Sequence, residues 1–560
     1  MSVKWSRGWL GIGLGLCLAG GAGAVPAHST DAQGAAPQVI PAVMAGAMAR
    51  ALDTARDSTF RQAVAEAAGS DRALAEFYRE TGYAPVWTGD GDAHRARRAA
   101  LLRALGDAGL HGLPEGRYDR AALVARMADI RSVQEMGDVE VALSRAYLAY
   151  ARDVQSGVLV PGRVVGDIKR EVPRRETSDL LTEIVQGDPR DVLRALPPQT
   201  NEYRRLMKAR LHLQEVIAAG GWGPAVPGDT LEPGDTGAAV IALRDRLVAQ
   251  GYLGRSATAT FDGRMQAALQ AFQVDHGLET DGIAGPSTLA ALNVTPEARL
   301  ASVLVAMERE RWLPAERGAR HILVNLTDFS ARIVDDDRIS FETKAVIGKN
   351  TGDRRSPEFS DEMEHMIVNP TWHVPRSIVA RDYLPKMQSN RHAASYLKIY
   401  DRRGREVPRS AINFNAYTGR SFPFSVKQPP SNSNALGLVK FMFPNKYNIY
   451  LHDTPQKHLF DREKRDFSSG CIRLAQPFEF AYALLDAQEE DPEARFHSAL
   501  DSGRETRITL DTHVPVHLIY RTAITRAGGP VQYRDDVYGR DARIWQALQD
   551  AGVSLRAQRG

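Results

Sequence analysis

The sequence predicts a multidomain α+β protein: a helical scaffold, a small three-helix module and a β-rich domain that carries a lid subdomain. Three observations carry this. The chain has 560 residues, which at roughly 100 to 200 residues per domain makes about three or four folding units. Apolar residues recur at three- and four-residue steps as far as about residue 218, where a Gly- and Pro-rich stretch ends the pattern. From His321 onward the period changes to two. With 43% hydrophobic and 25% charged residues, a wholly disordered chain and a multi-span membrane protein are both excluded. The 71 Lys and Arg against 68 Asp and Glu leave a formal charge of +3, too little for a broad polyanion-binding face, which argues against nucleic acid as a partner.

Taken in order, Lys4 and Arg7 precede an apolar run from Trp9 through Ala19 and the small triplet Ala22-Gly23-Ala24. That is the pattern of a secretory leader over residues 1–24, and the run is shorter than the about 20 residues of an anchor helix. Leu16 ahead of Cys17 argues against lipid attachment. Cleavage after Ala24 removes Lys4, Arg7 and Cys17, leaving 69 bases, 68 acids and Cys471 as the one thiol. Residues 25–42 read as a tether. Residues 43–218 read as the helical scaffold, with Leu74, Phe77 and Tyr78, and then Leu143, Tyr147 and Tyr150, at helical spacing; the aromatics of Tyr83 to Trp87 read as interhelix packing or ligand contact.

After the linker over 219–233, residues 231–294 predict three short helices: one capped by Thr236 and carrying Leu243 and Leu247, one after Asp262-Gly263, and one after Gly285-Pro286. The β-rich domain spans 319–500. Its strands are predicted at Ile322 to Leu326, Phe329 to Val334, Thr343 to Ile347, His365 to Val368, Leu438 to Phe443 and Tyr447 to Leu451. Asp335-Asp336-Asp337 supplies a turn rather than a calcium loop, because its carboxylates lack further ligands at loop spacing. The strand rhythm fails over about 376–434, too long for a structureless loop, and predicts a lid. Residues 501–560 read as C-terminal strands, Ile508 to Leu510 and Val516 to Tyr520, and a helix, packing on the catalytic or scaffold domain.

The chemistry concentrates in His452-Asp453-Thr454-Pro455 and Ser468-Ser469-Gly470-Cys471-Ile472-Arg473-Leu474. A thiol with a pKa near 8.5 needs a base or a positive environment to act as a nucleophile, and an imidazole supplies one. Gly470 lets the backbone approach a substrate closely, so an oxyanion site is available, whereas a Cys packed in a strand is the bland alternative. One Cys and scattered His residues, His513 and His517 included, do not make a four-ligand zinc pattern. Asp453 follows His452 in a strand and points to the opposite face, which leaves a backbone carbonyl to orient the imidazole.

Residues Gly234-Asp235-Thr236-Gly237, Gly251-Tyr252, Asp281-Gly282 and Gly285-Pro286 resemble the peptidoglycan-binding family PG_binding_1, which implies cell-wall attachment. Tyr450-Leu451-His452-Asp453-Thr454 with Ser468 to Leu474 resembles the YkuD-type L,D-transpeptidase signature. Val368 to Pro375, Asn434 to Gly437, Lys440-Phe441 and Phe443-Pro444-Asn445 extend the likeness to the large YcbB-like branch. Two departures are Ser469, where many such domains carry His, and His373, where relatives often carry Asn.

The resemblance implies Cys471 as nucleophile and His452 as general base and later acid. It also implies that the Gly470 and Cys471 amides hold the oxyanion, that Tyr450, Trp372, Ser468, Ser469 and Arg473 line or brace the site, and that Arg473 either pairs with a substrate carboxylate or pins its loop. The implied enzyme is a periplasmic L,D-transpeptidase, without metal or organic cofactor. It would release D-Ala from a tetrapeptide stem through a Cys thioester and form 3-3 cross-links that bear on cell shape. Implied partners are peptidoglycan stems and glycan and other wall-synthesis proteins, with carbapenem β-lactams as inhibitors. The alternatives are an L,D-carboxypeptidase or endopeptidase using the same Cys, and a non-catalytic wall-binding scaffold.

Overall fold

A computed structural model describes residues 42–555. The leader over 1–24 and nearly all of the tether lie outside the described residues. The chain divides into two compact units, one ending at Ser58 and one beginning at Thr59. The described part of the first, residues 42–58, is the opening of helix α1 (Ala42–Ala68).

The second unit continues with α2 (Arg72–Glu80), α3 (Asp92–Gly106), α4 (Arg120–Ala128), α5 (Val133–Ser156), α6 (Pro161–Val164), α7 (Thr177–Gln186), α8 (Pro189–Ala195) and α9 (Asn201–Ala218). Their caps are local and sequence-encoded: Ser132 and Glu135 close a capping box at the start of α5. Helix α5 crosses the scaffold core with Leu143, Tyr147 and Val154 fully buried. Its buried Glu140 accepts the amides of Val86 (2.6 Å) and Thr88 (2.8 Å) and the Tyr78 hydroxyl (2.8 Å), while Trp87 donates to Ser144 at 2.8 Å. The Tyr83 to Trp87 segment is therefore packed and hydrogen-bonded, because a buried carboxylate needs this many donors.

Helices α10 (Ala238–Ala249), α11 (Gly263–His276) and α12 (Pro286–Leu292) close a small core of Leu243, Leu247, Phe272 and Leu292. Helix α13 (Pro296–Arg311) falls in a stretch given no element in the sequence analysis. Its Leu300, Val303 and Met307 pack with Tyr203 and Leu206 of α9 and with Ile544 and Leu548 further along the chain, in a core that joins the modules.

The β-rich part contains β1 (Arg320–Asn325), β2 (Ser330–Asp335), β3 (Arg338–Gly348), β4 (Phe359–Val368), β5 (Trp372–His373), α14 (Arg376–Ile378), α15 (Leu384–Ser389), β6 (Lys398–Tyr400), β7 (Ser425–Gln428), β8 (Val439–Met442), β9 (Leu451–His452), β10 (Asp466–Ser468), β11 (Ile472–Leu474), α16 (Pro477–Leu485), α17 (Pro492–Asp501) and β12 (Thr506–Ile519). The main sheet runs β10-β3-β11-β9-β8-β4-β12-β1-β2, and β3 also pairs with β2, so the order returns to its start. Asp336 and Asp337, both at positive φ, make the β2–β3 turn. The segment between β4 and β8 is a separate layer: a sheet ordered β5-β7-β6 and helices α14 and α15 around Val379, Leu384, Ile399, Phe422 and Val426.

Two expectations are corrected. Residues 506–519 are one strand inside the main sheet, parallel to β1 (Ile322 opposite Val516) and antiparallel to β4, rather than two strands packed on its outside. A bulge between Thr509 and Val514 absorbs the polar, exposed Asp511-Thr512-His513 that interrupts the apolar rhythm. What packs outside is β13 (Ala523–Ile524), β14 (Gln532–Tyr533) and α18 (Arg540–Asp550), against α13. The strand predicted over Tyr447 to Leu451 is mostly a turn: Asn445 Oδ1 accepts from Tyr447 N (3.0 Å) and Ile449 N (3.2 Å), and Asn448 has φ 55°.

Candidate active site

Strands β9 and β11 lie side by side and parallel, with Leu451 opposite Ile472 and His452 opposite Arg473. Cys471 immediately precedes β11 and so falls beside Tyr450, whose carbonyl accepts the Ile472 amide at 3.1 Å. On the other side of β9, Lys440 of β8 is opposite His452. Residues directly opposite point to the same sheet face, which sets Lys440, His452 and Arg473 in one row across three strands.

The chain around the thiol is held from below. Ser468 Oγ accepts the Gly470 amide (3.1 Å) and donates to the Cys471 carbonyl (2.6 Å). Gly470 has φ 125°, a conformation that favours glycine, and its carbonyl accepts from the buried Ser356 hydroxyl at 2.7 Å. Of the two amides expected to hold an oxyanion, the Gly470 N–H donates to Ser468 Oγ in this structure. Asp453 faces away from the imidazole, accepting the amides of Leu438 (2.9 Å) and Thr454 (2.6 Å) and pairing with Lys457 at 2.7 Å. Gly437 has φ 62°, and a Cβ there would lie 2.2 Å from Asp453 Oδ2.

His452 is buried, and its Nδ1 lies 2.5 Å from the Asp453 carbonyl oxygen. A carbonyl only accepts, so Nδ1 carries the proton and Nε2 presents a lone pair. Burial, followed by the Arg473 cation, pushes the imidazole down to about 3. The Cys471 thiol is pushed up to about 11 by burial, against interactions with Tyr450 and the cations Arg473 and Lys440 that favour the thiolate. Sγ lies 3.5 Å from the Asn448 carbonyl. An imidazole that ionises the resting thiol is therefore not what the site holds; burial keeps both groups neutral. Tyr450 interacts through its hydroxyl with both Cys471 and Trp372.

All eight residues singled out in the sequence, Cys471, His452, Gly470, Tyr450, Ser468, Ser469, Arg473 and Trp372, line one cavity of about 1000 Å³ beneath the β5-β7-β6 layer. Ser469 is exposed and is reached by Arg381 of the lid at 3.4 Å. Arg381 also pairs with Asp353 (2.7 Å) and Asp382 (3.2 Å), and Asp382 with Arg354 (2.9 Å). Arg473 donates to Gln456 at 2.7 Å, so it ties its own strand to the 453–457 loop, while its buried Nε has no partner. Sequence reasoning placed Lys440 within the resemblance without giving it a role, although a lone cation in an apolar strand was a signal for one; it missed Ser356, Arg381 and Asn448, which carried none that is local.

The chain contains matches to three family models: a "Scaffold domain" over residues 72–209, a "Putative peptidoglycan binding domain" over 236–292 and the YkuD "L,D-transpeptidase catalytic domain" over 319–492. These define the class: a modular chain with a YkuD-type catalytic domain, a peptidoglycan-binding domain and a scaffold domain. Among curated proteins, a "Putative L,D-transpeptidase" of Haemophilus influenzae is 33% identical over 225 residues, which is 40% of this chain and 45% of that protein, so the match spans less than half of the relative. Among solved structures, an L,D-transpeptidase from Xylanimonas cellulosilytica aligns over 53% of this chain and 100% of its own at 18% identity, with a TM-score of 0.17.

Proposed function

We propose that this protein is a periplasmic L,D-transpeptidase that forms 3-3 cross-links between peptidoglycan stems through a thioester on Cys471. The observation that carries the reading is the convergence of the thiol and the Nδ1-tied imidazole in one cavity lined by Trp372, Tyr450 and Gly470. Sγ attacks the carbonyl of the third stem residue, an S–C bond forms and the C–N bond to D-Ala breaks. The thiol proton moves to His452 Nε2 and from there to the leaving amine. Because both groups rest neutral, proton transfer accompanies attack rather than preceding it. The side-chain amine of a second stem then attacks the thioester, its proton returning through Nε2 to the sulfur. The lid excludes water and so favours the amine. The peptidoglycan-binding module supports a wall substrate.

The test is purified protein with a disaccharide-tetrapeptide, followed by mass of protein and products. A Cys471 adduct with loss of D-Ala, then cross-linked dimers, is expected. Tripeptide alone would mean hydrolysis, and sacculus binding without any adduct would mean a non-catalytic scaffold. A carbapenem is expected to acylate Cys471, and the Cys471→Ser variant to lose that adduct.

A further inference from the structure

The cavity is lined by six Lys and Arg side chains against two carboxylates, Asp353 and Asp382, and both carboxylates are already paired with arginines. Most of the cations are engaged as well: Arg381 by those acids, Arg376 by the Phe422 carbonyl (3.0 Å), Arg355 by Asn350 (2.8 Å) and Arg473 by Gln456 (2.7 Å). Lys169 stands exposed at the rim. Lys440 differs from all of these. It is half-buried in the row beside His452, and its ammonium has no hydrogen-bond or ion-pair partner among the described residues.

The groups facing Lys440 are Ile367 across the β4–β8 pairing, His452 across the β8–β9 pairing, and Cys471, His365, His373 and Glu505 at longer range. Glu505 is the one acid among them, and its carboxylate accepts the Thr371 amide. A desolvated cation without an ion-pair partner in contact is costly, and burial lowers the Lys440 pKa although Glu505 at longer range opposes it.

We propose that Lys440 anchors the free carboxylate of the donor's terminal residue, so that the site selects stems that end one residue beyond the attacked carbonyl. This rests on the thioester reading above. The leaving residue carries its amine and its carboxylate on one carbon. If Nε2 of His452 protonates that amine, the carboxylate falls within roughly one strand spacing, about 4.8 Å, of the imidazole. Lys440 occupies that neighbouring position on one side of His452; on the other, Arg473 is already tied to Gln456.

The experiment uses the full chain and two donors, a disaccharide-tetrapeptide with a free terminal carboxylate and the same compound as its C-terminal carboxamide, with Cys471 acylation followed by intact mass. Wild type is expected to favour the free acid by about tenfold or more, mainly in KM, the size of a charge-assisted hydrogen bond. Lys440→Gln should bring the ratio to within about twofold, and Lys440→Arg should restore it. The pH profile of thiol alkylation by neutral iodoacetamide should move only slightly, to higher pH, in Lys440→Gln, because the lost cation no longer favours the thiolate. Equal acylation of wild type by both donors overturns the proposal without recourse to any variant. A wild-type ratio retained in Lys440→Gln overturns it too, and a strongly shifted alkylation profile with that ratio retained makes Lys440 a thiol-activating group instead. Acylation by neither donor overturns the functional reading itself and this proposal with it.

Discussion

Burial drives Cys471 and His452 in the same direction, toward neutrality, although it moves one pKa up and the other down. The imidazole, at about 3, is a free base throughout the physiological range, and the thiol, at about 11, is protonated there. Reaction with neutral iodoacetamide, which needs the thiolate, should therefore rise about tenfold per pH unit from pH 7 to about 10, without an inflection near 6.5. A plateau already present at pH 7 would mean a resting thiolate–imidazolium pair. The sequence carried the identities of Cys471 and His452 because the residue types alone restrict the chemistry. It did not carry their protonation, which depends on how deeply three neighbouring strands enclose them. Nor did it reveal that the Gly470 amide donates to Ser468, since Ser468 two residues earlier has several acceptors and donors within reach and only the folded turn selects one.

At the scale of elements, the sequence's alternation located β1, β2, β4 and β8 because each has one face in the core. It placed no element at 296–311, and the end of α13 shows why. Glu308, Arg309, Glu310 and Arg311 are four consecutive charges, read naively as a solvated helix end, yet all are buried. Glu308 and Arg311 pair with each other (2.9 Å), but the other two reach further: Arg309 pairs with Glu358 (2.7 Å) and Asp541 (2.7 Å), and Glu310 with Arg317 (2.5 Å) and Arg521. No local pattern announces the pairs to Glu358, Asp541 and Arg521. Glu358 also pairs with Arg540 (3.0 Å), which donates to the Ser356 carbonyl (2.7 Å), and Ser356 holds Gly470. The joining core thus reaches the loop of the thiol by hydrogen bonds. Glu358→Gln leaves the buried Arg540 with only Asp167, at 3.7 Å, as counter-charge and Arg309 with Asp541 alone. It should lower stability by about 3–5 kcal/mol in urea titration; a loss below about 1 kcal/mol would show that water or Asp541 compensates them.

The second unit buries several imidazoles against aromatic and polar neighbours. His276 of the peptidoglycan-binding domain stacks on Phe272 (3.7 Å between centroids) and on Tyr533 (5.8 Å); His111 faces Tyr203 of α9 (Nδ1 to hydroxyl, 3.1 Å); His517 lies in β12 against Ser360 (2.8 Å). Burial depresses each of them, to about 3 for His276 and His517 and about 4 for His111, joining His452 at about 3. An unfolded histidine titrates near 6.5, so below that pH the unfolded chain takes up protons that the folded chain refuses, and stability falls as pH falls. Two carboxyls act in the opposite sense. Burial raises Asp153 and Asp541 to about 6, so the folded chain binds their protons first and gains stability on acidification. Over these six groups alone, four imidazoles against two carboxyls leave a difference of about two protons between pH 5.5 and 4.5, about 3 kcal/mol lost per pH unit, and burial also lowers His321, His365 and His373, in the same sense. The urea midpoint should fall steeply over that interval. His276→Phe keeps a stacking ring but removes one titrating group, and should reduce the slope by about 1.4 kcal/mol per pH unit. An unchanged slope in that variant would mean that His276 takes up its proton in the folded protein as readily as in the unfolded one, and that the docking of the module does not depend on a neutral ring.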